Sequence, residues 1–576
     1  MQQVPAYARH FFDPAQRLSR LGGGALGGKA QGLIAASDVL AAHGAELARA
    51  GIEVDIPSLV ILGTDFFDAF LAANALAALV DEVPGDQQLA AAFHRGAIPA
   101  EMVGDLMSLA GETRVPLAVR SSSGLEDALG QPFAGVYGTK MVPGNQLDAE
   151  ARFRSLLDAI KFVWASTYFA GARAYLAATG EPGRREKMAV IVQEVVGRRH
   201  GDRYYPDLSG VARSVSFYPV GGARPEEGVV DLAVGLGKTI VDGGQCWSFS
   251  PARPRATAPF ASARELVKAT QNELWAVNVG APPAYDPMSE AEFLVRVGLA
   301  EAEADGALRY AASTYDPGSD RLWPGLGRQG PRVLDFAPTL VHDELPLVPA
   351  VKALLAACET ALGAPVEIEF ALALEPQSPP RLGLLQVRPL LVSREAVEIS
   401  AEEIAEAEAV VATRHALGNG RRRLEDAIVV DPRTFEGRLT PAIALEIETL
   451  NRPLVAAGRP YLLVGFGRWG SSDPWLGIPV RWDQIAGARA IVEAALPQMT
   501  PEPSQGSHFF HNLSSFGVLY LTVPASAPRG VDWSYFDRQA IVGRTEHVRH
   551  LRLAPPLEVA VDGRTQRGLA RAQEEP

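Results

Sequence analysis

The chain has 576 residues, 47% of them hydrophobic and 21% charged, with a formal net charge of −13. That composition supplies substantial cores and is too acidic for nucleic acid or an anionic membrane to be the principal partner. Two cysteines, Cys246 and Cys358, exclude a disulfide framework and a cysteine zinc site. No run approaches the roughly 18 uninterrupted apolar residues of a membrane span. The opening "MQQVPAYARHFFDPAQRLSR" lacks the apolar core of a signal peptide, so the chain reads as soluble and cytoplasmic. At roughly 100–200 residues per domain it should hold three or four structural units.

Helical spacing of apolar residues predicts a helix over 30–50, stopped by Gly51. "IPSLVILGT" is a short β-branched run that reads as a buried strand, and 64–112 reads as mostly helical. "VPLAVRSSS" begins as a strand and ends polar, which sets Arg120 at a strand's carboxyl end, where open α/β sheets bind ligands. A long helix is expected over 151–179, followed by strands in "MAVIVQEVV", "GVARSVSFYPV" and "GVVDLAVGL". "VEIEFALAL" and "LGLLQVRPLLV" alternate as a strand pair joined by the proline-rich loop "EPQSPPR". Residues 399–409 read as an acidic exposed helix or linker helix, and a last unit runs from about 426 to a loose tail.

Two glycine-flanked lysines invite a P-loop reading. "GLGKT" at 235–239 has Leu232 where the first glycine belongs. "GGALGGKA" has Gly23, Gly28 and Lys29 at the right spacing, but Ala30 replaces the hydroxyl that binds magnesium. Neither is an ordinary P-loop, although a glycine-flanked lysine opening a helix suits a phosphate as well as it suits a surface loop. Ser123 and Glu126 have the spacing of a capping box.

In order, "LGGKAQGL", "IPSLVILGTDFFDAFL", "LAVRSSSGLED…FAGVYGT", "KFVWAS…RAYLAATG", "MAVIVQEVV", "SGVA", "GLG…VDGG" and "IEF…LLQVRP" resemble one domain. It is the ATP-binding domain of phosphoenolpyruvate synthase and pyruvate phosphate dikinase, and the likeness spans roughly residues 20–395. The resemblance implies an α/β (α+β) fold with a two-lobed, ATP-grasp-like module and a smaller C-terminal α/β domain. It implies that Lys29 and Arg120 contact ATP phosphates, that Gln193 lies near the adenine and that Asp231 lies near the ribose. Glu369 and Gln386 would hold magnesium, with Arg388 facing the β- and γ-phosphates. Independently, such chemistry needs convergent cations and oxygen ligands for the metal. Arginine rather than lysine at 120 and 388 permits forked contacts to phosphate oxygens.

The implied division is 1–115 and 116–395 for the two parts of the ATP module, 396–425 for a linker and 426–576 for the C-terminal domain. Residues 396–576 are too few for the (β/α)-barrel of the full dikinases, which alone takes roughly 250, and no cysteine follows Cys358. The nearest match to a phosphohistidine motif, "ATRHALGNG" around His415, lacks the preceding glycine pair. Lys238 stands where the family has a glutamate in "GLGE", and Asp231 replaces a longer acid. In the last unit, "GRWGSSD" brings Arg468, Trp469, Ser471, Ser472 and Asp473 into one loop, and "SHFFHN" spaces His508 and His511 by three. Those histidines are open to three readings: buried and hydrogen-bonded, phosphoryl-accepting or acid–base, or metal-binding. The whole reads as an ATP- and magnesium-dependent phosphotransferase with an unknown acceptor. The alternatives are an ATP-sensing regulatory protein and the ATP-binding subunit of a split dikinase with a separate histidine carrier.

Overall fold

The computed structural model describes residues 4–573 apart from 50, 83–84, 127–134, 179–185, 217–218, 220, 257–261, 391–396, 407–408, 472–474, 497–508, 510–512, 514–515, 526, 528–529 and 564. The chain forms two units. The first comprises Met1–Arg173, Arg184–Ile240 and Gln245–Leu390; the second comprises Ala174–Gly183, Val241–Gly244 and Leu391–Pro576. No helix among the described residues is long and apolar enough to cross a membrane.

Two sheets dominate the first unit. Strands β1 (Leu18–Leu21), β2 (Glu53–Asp55), β3 (Leu59–Leu62), β4 (Leu117–Ser123), β5 (Thr139–Val142) and β6 (Met188–Glu194) come first in the chain. All but β2 form a sheet ordered β1-β3-β6-β4-β5. Next come β7 (Leu208–Arg213), β8 (Val229–Ala233), β9 (Trp247–Phe249), β10 (Val366–Ala373) and β11 (Arg381–Pro389). With β2 they make the second sheet, ordered β9-β8-β7-β10-β11-β2. Smaller sheets of four and three strands complete the unit.

The period of two along a strand decides what each face carries. In β10, Val366, Ile368, Phe370 and Leu372 enter the hydrophobic core, which leaves Glu367 and Glu369 on the opposite face. Core residues of β11 include Leu382, Leu384 and Val387. The register slips between Glu369, opposite Gln386, and Phe370, opposite Leu384. Leu385 is the extra residue of this β-bulge, which keeps Gln386 facing Glu369 while Leu384 stays in the core.

Helix α1 (Gly28–Ala48) covers the second sheet together with α3 (Leu347–Leu362), while α2 (Ala149–Ser166) packs on β4 and β5 of the first. A Cβ on Gly32 would lie 2.2 Å from the Val387 carbonyl oxygen, so glycine is what lets α1 lie directly on β11. The single helix expected over 151–179 is instead two, α2 and Ala170–Ala178. Ser166 ends the first: its hydroxyl donates to Val163 O at 2.7 Å and accepts Gly138 N at 2.9 Å, and the following amides tighten to i→i+3 bonds.

The second unit is built on β12 (Gly420–Val430), β13 (Tyr461–Phe466), β14 (Ala488–Ala494), β15 (Leu519–Val523), β16 (Val548–Asp562) and β17 (Arg567–Ala572), with α4 (Thr440–Ala456). These strands run in the order β17-β16-β12-β13-β14-β15. Strands β12 to β15 are parallel neighbours, and β16 and β17 add antiparallel pairs. The acidic segment forms a helix over Ala401–Glu406.

Candidate functional site

Glu369 faces Gln386 and Glu367 faces Arg388 across β10 and β11, so the polar face of the second sheet carries two carboxylates, an amide and a guanidinium in two adjacent rungs. Arg120, from β4 of the first sheet, reaches this face. Its Nη2 donates to Gln386 Oε1 at 2.7 Å and to Glu369 Oε2 at 3.3 Å. Its Nη1 donates to the Leu385 carbonyl oxygen at 2.9 Å and to Gln193 Oε1 at 3.3 Å. The bulge thus supplies the acceptor that anchors the arginine. Four residues named from sequence, Arg120, Gln193, Glu369 and Gln386, meet in this cluster.

Gln193 is buried on β6, and its Nε2 has no hydrogen-bond partner among the described residues. A buried amide donor left unpaired costs about 1–3 kcal/mol, a cost that a ligand acceptor would remove.

Arg388 and Asp231 belong to a neighbouring buried network. Arg388 Nε donates to Glu367 Oε1 at 2.7 Å, and Nη2 donates to the same oxygen. Arg213 Nε donates to Glu367 Oε2 at 2.6 Å, and its Nη1 lies 3.8 Å from Asp231 Oδ2. Ser248 Oγ donates to Asp231 Oδ1. The sequence reading named the two ends, Arg388 and Asp231, and missed Glu367 and Arg213, which join them. The missed signal was the alternation in "VEIEF": a glutamate two residues before Glu369 must share its face.

Lys29 sits in a third cluster at the start of α1. Its Nζ lies 2.6 Å from Glu126 Oε1 and donates to Ser121 Oγ at 3.2 Å. Ser121 Oγ donates to the same Glu126 oxygen at 2.8 Å, and Ser123 N donates to Oε2 at 2.9 Å. Glu126 N donates to Ser123 Oγ at 3.2 Å, closing the reciprocal pair that the spacing predicted. Ser122 Oγ takes the Ala30 amide at 3.1 Å. The three serines thus hold the lysine, the helix start and the acid in turn. Gly27 makes the approach possible: its φ is +80° and an added Cβ would lie 1.9 Å from Ser122 O. The Lys29 contacts are to Ser121 and Glu126, not to the Arg120 cluster.

Lys238 opens the short helix Lys238–Val241, with Nζ 5.9 Å from the centroid of the Trp275 ring. Asp127, Phe133, Ser472, Asp473, His508 and His511 lie outside the described residues. Within the second unit, Arg468 is buried and Nη1 donates to Gly243 O at 2.6 Å. Glu493, which the sequence reading did not single out, is buried on β14 and accepts the Tyr520 hydroxyl. Burial pushes the Glu493 carboxyl up to about 7, against the Tyr520 hydrogen bond and the field of Arg468.

The donor set fits a magnesium nucleotide. Glu369 and Gln386 offer hard oxygen ligands of the kind magnesium takes. Arg120 and Arg388 offer planar forks for phosphate oxygens, and the unpaired Gln193 amide offers a donor for a base. A family profile described as pyruvate phosphate dikinase, AMP/ATP-binding domain, matches residues 24–409.

Proposed function

The chain belongs to the family of pyruvate phosphate dikinase AMP/ATP-binding domains, and on that premise we propose that it is a magnesium-dependent phosphotransferase that uses ATP. The observation that carries this reading is the Arg120 cluster, in which a cation from one sheet meets a carboxylate and an amide oxygen from the other. Phosphoryl transfer depends chiefly on positioning and charge neutralisation, and this combination of groups supplies both.

In this reading Glu369 and Gln386 hold magnesium, which neutralises phosphate charge when bound. Arg120 and Arg388 orient the phosphates, and Glu367 sets the direction of the Arg388 fork. Gln193 donates to the adenine, and Asp231 lies on the ribose side. Lys29 shares its charge between Glu126 and a phosphate oxygen. The C-terminal unit supplies an acceptor site or a docking surface, with His508 and His511 as candidate acceptor or acid–base groups.

The test uses the full chain with magnesium and ATP labelled separately at the β- and γ-phosphates, with Arg388→Ala as control. AMP plus phosphate, dependent on Arg388, would establish dikinase-type chemistry. ADP with label on protein or on a component of added extract would establish a simpler kinase. Tight ATP binding with neither product, even with extract, would replace the enzyme reading by a nucleotide sensor. Co-purification of a histidine-carrier protein would identify a split dikinase.

A further inference from the structure

Arg120 already engages the two oxygens proposed to hold the metal. Its Nη2 is shared by Gln386 Oε1 at 2.7 Å and Glu369 Oε2 at 3.3 Å, the two oxygen donors that face each other in register across β10 and β11. Magnesium binds its oxygen ligands at about 2.0–2.1 Å with near-octahedral demands. An ion held by these oxygens would have to share them with the Nη2 group and lie close to its positive charge. Arginine does not lose its proton in proteins, so it can leave only by moving.

We infer that Arg120 is a resident cation of the Glu369–Gln386 pair, so that this site admits divalent metal together with nucleotide and resists metal alone. The inference rests on the reading of Glu369 and Gln386 as metal ligands.

The arginine has somewhere to pivot. Its Nη1 is anchored separately, on the Leu385 carbonyl at 2.9 Å and on Gln193 Oε1 at 3.3 Å, so a turn of the planar guanidinium about those bonds would carry Nη2 off the pair. The side chains of Arg120 and Glu369 keep 13% and 14% exposure, which leaves a path for a ligand. A free metal ion brings only positive charge and opposes the guanidinium. A metal–nucleotide complex also brings phosphate oxygens, which give the displaced Nη2 a new acceptor. Arg120 thereby selects the form in which the metal enters and is turned toward the phosphates by the same exchange.

The test measures Mn²⁺ binding to the full chain by electron paramagnetic resonance, with Mn²⁺ alone and with Mn²⁺ plus ATP. Wild type should bind Mn²⁺ alone at least tenfold more weakly than Arg120→Met, and Arg120→Met with Glu369→Gln should lose the gain. Arg120→Lys keeps the charge and should recover no more than a small part of it. Equal Mn²⁺ affinity in wild type and Arg120→Met, or an Arg120→Lys gain as large as that of Arg120→Met, overturns the inference. Circular dichroism checks that each variant is folded. Glu369→Gln in the wild-type background separates the two claims. If it weakens Mn²⁺–ATP binding while Arg120→Met shows no gain, only the resident-cation inference falls. If it leaves Mn²⁺–ATP binding unchanged, the metal-ligand reading falls with it.

Discussion

At the scale of single residues, Glu367 is the hinge of the buried charge network, because one carboxylate serves two buried guanidinium groups, those of Arg388 and Arg213. Glu367→Gln keeps the shape and removes the charge. It should destabilise the protein by about 3 kcal/mol, since it removes the charged carboxylate that both buried guanidinium groups share. A urea melt that coincides with wild type would refute this. Glu493 gives the opposite sign of electrostatic effect. Its carboxyl is held up to about 7 in the folded chain, whereas an unfolded glutamate ionises near pH ~4.3. Between these values the folded state keeps a proton that the unfolded state has lost, so stability falls as pH rises through that window. Glu493→Gln should remove about 3 kcal/mol of this pH dependence, seen by comparing chemical denaturation of variant and wild type at pH 4.5 and 7.5. Identical pH slopes would show that Glu493 is not the group responsible.

At the scale of elements, two glycines set distances that no side chain would permit. Gly32 lets α1 rest on the Val387 carbonyl of β11, and Val387 lies between Gln386 and Arg388. Gly32→Ala should push the helix off the strand, lowering stability by about 1–3 kcal/mol and weakening nucleotide binding together with it. A variant that melts like wild type and binds ATP normally would sink this account. The β-bulge at Leu385 does related work: it re-aims Gln386 onto Glu369 and frees the carbonyl that holds Arg120. Neither device was readable in advance. The strands and the long first helix were legible from apolar spacing, but a bulge depends on pairing between strands, and the role of Gly32 depends on which strand lies beneath it. Ser166 similarly divided a continuous helical pattern through bonds to Val163 and Gly138, the second of them remote in sequence.

At the scale of the whole molecule, ligand binding should report on the first unit. Mg²⁺–ATP at one hundred times its dissociation constant should add about 2.7 kcal/mol to the unfolding free energy. Calorimetry of the full chain should therefore show an upward shift in melting temperature, absent in Glu369→Gln. A shift of equal size in that variant would remove Glu369 from the nucleotide site. The family profile ends at residue 409, and the parallel strands β12 to β15 lie beyond it. The C-terminal unit, with its buried Arg468 and Glu493, is therefore the part of the molecule in which to seek the acceptor.

The sequence by itself determined the family of the first unit, named by its ordered motifs, and the types of residue at 29, 120, 369, 386 and 388 carried the chemistry proposed for it. Period-two alternation was enough to put Glu369 on a polar face, because a strand's side chains must alternate. Only the tertiary structure decided who touches whom. Arg120 reaches Glu369 and Gln386 across more than two hundred residues of chain, and Lys29 is held by Glu126 instead of standing ready as an isolated charge. The physical reason is that residue type and local spacing are properties of a segment, whereas a shared carboxylate or an occupied donor pair exists only once distant segments have packed together.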